Sequence, residues 1–148
     1  MSDFTHLDKQ GNVSMVDVSA KPIQQREAVA RGEIHLQRDT IKKIQGNEIA
    51  KGNVLATARL AGIMAAKKTG ELIPLCHPLG ISHCEVNFNV RDDRIEITAT
   101  TRVAAQTGVE MEALAAVSMA ALTIYDMCKA IDKSMRIEGI HLVSKTKK

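Results

Sequence analysis

Residues Thr107 to Lys133, TGVEMEALAAVSMAALTIYDMCKAIDK, constrain the fold more than any other stretch. They open with Thr107-Gly108-Val109-Glu110, the pattern of a capping box, in which the two end side chains satisfy backbone N–H groups that lack helical partners. A run of good helix formers without Gly or Pro follows, which predicts one long helix. Leu114, Val117, Ala121, Leu122, Ile124, Tyr125 and Cys128 spread apolar character around most of its circumference, so the helix is buried on more than one side. Glu110, Glu112, Asp126 and Lys129 sit in the same helix, and buried charges need partners.

Glu112, Met119, Asp126 and Lys133 recur every seventh residue and share one seam, and Lys129 follows Asp126 closely enough to reach it. At about 1.5 Å per residue, Glu112 and Asp126 are roughly 21 Å apart. No compact site on one chain uses both unless the ligand is long. Either the seam has two jobs, or one end serves a site completed by another subunit; the second reading is preferred. On that reading, mixing inactive Asp126 and Lys51 variants restores activity if the site is shared.

A chain of 148 residues is expected to form one domain, spanning 1–148, with 1–22 and 145–148 irregular or flexible. Aromatics make up only 2%, so the core must be built from Ala, Val, Ile, Leu and Met, and so thin a core favours an oligomer. No apolar segment is read as reaching membrane-span length, and MSDFTHLDKQ lacks the layout of a signal peptide. Three cysteines, an odd number, argue against a disulfide framework and for a cytoplasmic protein. The net charge of +3 is mild, and three of the positive charges come from the tail Lys145-Thr146-Lys147-Lys148, read as a solvated, frayed end.

Ile23 to Leu36 is read as a strand, Gln37 to Ile44 as a short helix, and Glu48 to Lys68 as a long one. The loop LIPLCHPLG follows. Ile81–Arg91 and Arg94–Arg102 alternate apolar and polar residues across an Asp92-Asp93 turn, as half-buried antiparallel strands do. The central helix and a strand from about Met135 to Ser144 complete the order. This is α+β, a ferredoxin-like βαββαβ fold with a four-stranded antiparallel sheet and helices on one face.

Three groups of residues have chemical potential. Asp126 and Lys129 are flanked by Leu122, Ile124, Tyr125, Met127 and Ala130, so the pair is expected to be partly desolvated, drawing the lysine toward neutrality. The ordinary alternative is a solvated surface pair. Cys76 and His77 sit in a loop stiffened by Pro74 and Pro78, where the imidazole suits proton transfer near neutral pH. With His83 and Cys84 they look like a zinc set, but adjacent ligands have the wrong spacing and His83 and Cys84 face opposite ways, so no metal is expected. Lys51 lies near a helix start, where the dipole disfavours it and a solvated side chain is the ordinary reading, and Arg26 shares a small-residue face with Ala28, Ala30 and Gly32 that hints at an anion. Neither standard phosphate-binding glycine loop is present.

LIPLCHPL (72–79) and TGVEMEALAAVSMAALTIYDMCKA (107–130), with MVDVS (15–19), REAVA (26–30) and KGNVLATARLAGIMAAKKT (51–69), closely resemble the MoaC family. These are the cyclic pyranopterin monophosphate synthases of molybdenum-cofactor biosynthesis. The resemblance covers nearly the whole chain. It implies a lyase that rearranges a cyclised dihydro-GTP to cyclic pyranopterin monophosphate with loss of pyrophosphate, and that needs no cofactor. It also implies a ferredoxin-like subunit, a trimer of dimers, and active sites at interfaces. Carried over by position, Asp126 is the catalytic carboxylate, Lys129 its helix partner and Lys51 the second lysine. Leu75, Cys76, His77, Glu110, Met111 and Glu112 contact substrate, and Arg26 is assigned with the lysines to the triphosphate. The chain departs from the family pattern at Ala115 and Met119 and in a short tail, which leaves the share carried by Lys145 open. The competing reading is a single-stranded RNA module. It is disfavoured by the lack of aromatics for stacking: Phe88, the one Phe in the predicted strands, faces the core.

Overall fold

The structure is a computed structural model and describes residues 8–148. Of the stretch 1–22 expected to be irregular, residues 1–7 lie outside the described residues. Four strands and three helices follow residue 23: β1 (Gln24–His35), α1 (Arg38–Gln45), α2 (Val54–Leu72), β2 (His83–Val90), β3 (Arg94–Ala105), α3 (Glu110–Cys128) and β4 (Arg136–Lys147). The sheet order is β2-β3-β1-β4 and every pairing is antiparallel, the topology of a ferredoxin-like fold. β1 is central and pairs along its whole length with β3, from Gln24 opposite Ala105 to His35 opposite Arg94.

Strand alternation decides which face the helices cover. Ala28, Ala30 and Ile34 of β1, Ile95, Ile97 and Ala99 of β3, and Val86 of β2 are buried, while Arg31, Glu85 and Arg102 point the other way. α3 packs against β1, β3 and β4, and α2 against α3 and β2. The α2–α3 contact is made by small side chains. Ala58, Gly62, Ala65, Ala66 and Thr69 are buried on one side, and Ala113, Ala116 and Ala120 on the other. A Cβ on Gly62 would stand 2.9 Å from the Ala116 carbonyl oxygen, so glycine sets how closely the helices approach. Ile34, Ile95, Ile97 and Ile124 are the largest fully buried apolar side chains, with Phe88 packed against the core only partly buried, which gives the core the aliphatic composition predicted.

Several features differ from the sequence reading, which also ended α2 at Lys68 where the helix runs on to Leu72. The capping box does not form: α3 starts at Glu110, its N-cap is Val109, and no side chain caps it. Instead the Glu110 carboxylate folds back over Gly108, where a Cβ would lie 2.2 Å from Glu110 Oε2. α2 starts at Val54, not Glu48, because Asn53 Oδ1 accepts the Ala56 N–H as a side-chain cap. Gly52 before it takes φ +112, outside helical space. β4 continues to Lys147, so the tail is ordered strand. Lys145 lies opposite Ala28 and Lys147 opposite Arg26 because β1 begins early enough to offer them a ladder. Finally, α3 is long and apolar enough by length and composition to cross a membrane, contrary to expectation; half of it is buried, against α2 and the sheet.

The link between α3 and β4 is fastened by Asp132, which is 1% exposed. Its Oδ2 accepts from the Gln37 N–H and the Thr40 hydroxyl, and its Oδ1 from the N–H and hydroxyl of Ser134. Gln37 is the N-cap of α1 and contributes no side-chain bond, so a residue from the far end of the chain caps that helix. Burial pushes the Asp132 carboxyl up, but these four bonds outweigh it and hold the group below the usual carboxylate range.

Candidate active site

The predicted residues gather at the two ends of α3. At the C-terminal end Asp126 holds both lysines. Its Oδ1 is 2.9 Å from Lys129 Nζ and its Oδ2 is 3.1 Å from Lys51 Nζ, which also donates to the Asp126 backbone carbonyl. Lys129 comes from one helical turn along, and Lys51 from the turn before α2, held there by Gly52 and the Asn53 cap. The sequence reading expected a desolvated pair with a lysine drawn toward neutrality. In the single chain the Asp126 and Lys129 side chains are 54% and 56% exposed. The Lys129 ammonium is held above its ordinary value by its hydrogen bond to Asp126, and the Asp126 carboxylate below its own by Lys129 and Lys51. Carboxylate and ammonium stay ionised because attraction between them outweighs the modest burial. Beside them Met119, Leu122, Thr123 and Tyr125 line a shallow depression, with Leu122 53% exposed.

The N-terminal end is built differently. A cleft of about 300 Å³ is lined by Leu75, Cys76 and His77 of the Pro-stiffened loop, by Glu110 and Met111 of α3, and by Lys21. The His77 ring is held at Nε2 by the Val16 backbone carbonyl. Glu112 lies beneath, 1% exposed, with Oε1 lacking a partner and Oε2 approached only by the Cys76 thiol at 3.9 Å. Burial raises the Glu112 carboxyl, and the bonds from its own backbone N–H and from Cys76 do not cancel that. The Cys76 thiol is pushed up to about 11 by burial and by the charges of Glu112 and Glu110. It is therefore a neutral thiol at ordinary pH and not a ready nucleophile.

A second cleft of about 290 Å³ adjoins the first and shares Lys21, Thr107, Gly108 and Glu110 with it; Arg26, Lys145 and Lys147 complete its basic lining. Arg26 Nε donates to the Ala105 carbonyl and Nη2 to that of Gln106, so the guanidinium also braces the link into α3. A guanidinium carries five N–H groups, which leaves donors for an anion. Lys145 Nζ is 3.8 Å from Glu110 Oε1, a long pairing that an incoming phosphate can replace.

Lys21 lines both clefts and was missed in the sequence. Nothing local distinguishes this lysine from a solvated one. His83 and Cys84 lie at the start of β2, opposite Arg102 and Thr101 of β3, and line neither cleft; burial raises the Cys84 thiol. Phe88 lies on the helix side of the sheet under the Arg59 guanidinium, 5.5 Å from ring centroid to Cζ. Because Lys51 and Asp126 touch within one chain, mixing variants of those two leaves every copy of that cluster damaged. A complementation test needs one variant from each end of α3.

The sequence pattern of the group described as the MoaC family matches residues 15–148. The chain is 58% identical over 148 residues to the cyclic pyranopterin monophosphate synthase of Desulforapulum autotrophicum, covering 99% of this chain and 91% of that protein. It is 56% identical to the protein of the same name from Roseiflexus sp., covering 99% and 94%. A third, from Desulfatibacillum aliphaticivorans, is 58% identical over 147 residues, covering 98% and 92%.

Proposed function

The chain belongs to the MoaC family, and we infer that it carries out the reaction for which its relatives are named, forming cyclic pyranopterin monophosphate from a cyclised dihydro-GTP with release of pyrophosphate. The observation that carries the site assignment is the contact of one carboxylate with two lysines, Lys51–Asp126–Lys129. The substrate is a phosphorylated, purine-derived small molecule. Opening and reclosing its rings requires protons to leave and arrive at fixed points. An ionised Asp126 accepts a proton, and the ammonium groups of Lys129 and Lys51 supply one, which is general acid–base catalysis by adjacent groups of opposite function. Lys21, Arg26 and Lys145 hold the triphosphate in the basic cleft and offset charge on the departing pyrophosphate. Leu75, Cys76, His77, Glu110, Met111 and Glu112 shape the cleft that takes the purine-derived part.

The two ends of α3 are too far apart for one molecule of substrate, so each site takes its lysine–carboxylate cluster from one subunit and its clefts from another. Exposed Leu60 and Met64 on α2 and Leu122 and Tyr125 on α3 support such contacts, since apolar surface of this kind marks places where proteins meet. A trimer of dimers in the cytoplasm is the proposed assembly. Co-expression of Asp126→Ala with His77→Ala tests it. Each variant alone is inactive, and random mixing in a shared-site oligomer returns about a quarter of full activity. A mixed oligomer as inactive as its parents overturns the shared site. Full turnover by Asp126→Ala overturns the catalytic assignment.

A further inference from the structure

The sheet face away from the helices carries a second cluster of titratable side chains, remote from α3. Glu33 and His35 lie two residues apart on β1, and Glu138 of β4 stands directly opposite Glu33. Strand alternation puts all three on the same side. Glu33 Oε1 is 3.3 Å and Glu138 Oε2 is 3.4 Å from His35 Nε2. The outer carboxylate oxygens are engaged elsewhere: Arg94 Nε lies 3.2 Å from Glu33 Oε2, and Arg136 Nη1 lies 3.4 Å from Glu138 Oε1. Each arginine thus turns the other oxygen of its carboxylate inward, the part that outer partners play around metal ligands.

His35 Nε2 is shut off from solvent and forms no hydrogen bond, although two carboxylate oxygens face it. Charge-assisted N–H···O bonds are about 2.7–2.9 Å long, shorter than either approach. Two ligand atoms each about 2.1 Å from one ion, at an angle near tetrahedral, stand about 3.4 Å apart. One nitrogen and two oxygens thus converge at the separation of adjacent ligands and not at that of a bridging proton, and all three atoms lie within 4.8 Å of one another.

We propose that Glu33, His35 and Glu138 bind one divalent first-row transition-metal ion, of the class of Zn²⁺ or Mn²⁺. An imidazole with two carboxylates suits these ions, whereas Mg²⁺ and Ca²⁺ take oxygen ligands alone and Cu⁺ takes sulfur. The ion ties β4 to β1 just past the point where their register shifts, between Arg31 and Glu33, and next to Gly139 at φ +65. It touches none of the groups assigned to catalysis. Its effect is on the anchoring of β4, the strand that carries Lys145 and Lys147 into the basic cleft.

Calorimetric titration of the full chain with Zn²⁺ and with Mn²⁺, beside His35→Gln and Glu138→Gln, tests the site. The expected result is one ion per chain for the unmodified protein, with affinity at least tenfold weaker in each variant. A metal-dependent rise in melting temperature is expected in the unmodified protein and absent from both variants. Variants with the circular dichroism of the parent show that the loss is local. A measurement free of substitutions is available as well: Mn²⁺ should broaden the ring resonances of His35 before those of His77 and His83. No saturable binding, binding unchanged in both variants, or broadening that begins at His77 or His83 overturns the proposal and leaves His35 as a bridge between two glutamates.

Discussion

The two ends of α3 present carboxylates in opposite conditions. Asp126 is half exposed, held by two ammonium groups, and ionised over the whole ordinary pH range. Glu112 is sealed, has one oxygen without a partner, and resists ionisation. The first is stable where it stands and keeps its negative charge between two ammonium groups. The second is unfavourable for the isolated subunit, and an orphaned buried oxygen of this kind is better explained by a ligand than by folding. One helix thus displays both a settled charge and a strained one, and the assembly proposed above brings the two types together from different chains.

The sharpest way to break the contrast is at the settled end. Asp126→Ala removes the one group both lysines share and is expected to lower turnover by on the order of a hundred- to ten-thousand-fold, with nucleotide binding retained in an equilibrium titration. Unimpaired turnover would remove Asp126 from the chemistry.

Asp132 serves as a control, since it is buried like Glu112 yet fully bonded. Asp132→Ala leaves the Gln37 N–H and the Thr40 and Ser134 groups without their acceptor and is expected to destabilise the fold by about 2–4 kcal/mol in urea unfolding. Its folded-state carboxyl lies below the unfolded value. Its contribution is therefore present above the unfolded value and fades as pH falls through the folded one. Asp132→Asn should accordingly flatten the acid limb of a stability–pH profile.

Glu112 has the opposite sign. With its folded value raised, the folded state binds the proton more tightly than the unfolded chain does, so stability falls as pH rises from the unfolded to the folded value. Glu112→Gln is expected to stabilise the fold by about 1 kcal/mol at neutral pH, with the gain vanishing in acid, while activity drops. A loss of stability at neutral pH would show that the orphaned oxygen has a partner within the chain. The smallest effect is expected at Cys76: iodoacetamide should modify it several-fold more slowly than a free thiol at pH 8, because its proton is held to about 11.

Much of the architecture was legible because it rests on short-range pattern. The alternation through Cys84, Val86, Phe88 and Val90 and through Ile95, Ile97 and Ala99 located β2, β3 and the face they bury, and the run of apolar residues located α3. What failed was decided by partners distant in sequence. Thr107 and Glu110 have the spacing of a capping box, yet Val109 is the cap and its carbonyl instead accepts a bond from the Thr101 hydroxyl of β3. The tail reads as frayed until β1 is known to be long enough to pair with it. The Asn53 cap, by contrast, is a local signal, an Asn just before a run of helix formers. Of the site, Asp126 and Lys129 meet as their spacing suggests and Lys51 joins them as the family resemblance implies, but the pair is more exposed than its apolar flanks suggest because Leu122 and Tyr125 are themselves at the surface. Lys21 had no local signal. Neither had Glu33, His35 and Glu138, whose meeting depends on the register of β1 with β4.

The fit of α2 against α3 through Gly62 has a mechanical consequence. Two rods this close at Gly62, where a side chain would meet the Ala116 carbonyl oxygen, have little room to slide or roll past each other there. α3 then acts as a ruler of constant length, with the Lys51–Asp126–Lys129 cluster at one end and the two clefts at the other. Accommodation of an arriving nucleotide falls to what is not wedged: the Ile73–Gly80 loop and the stretch leading into β1.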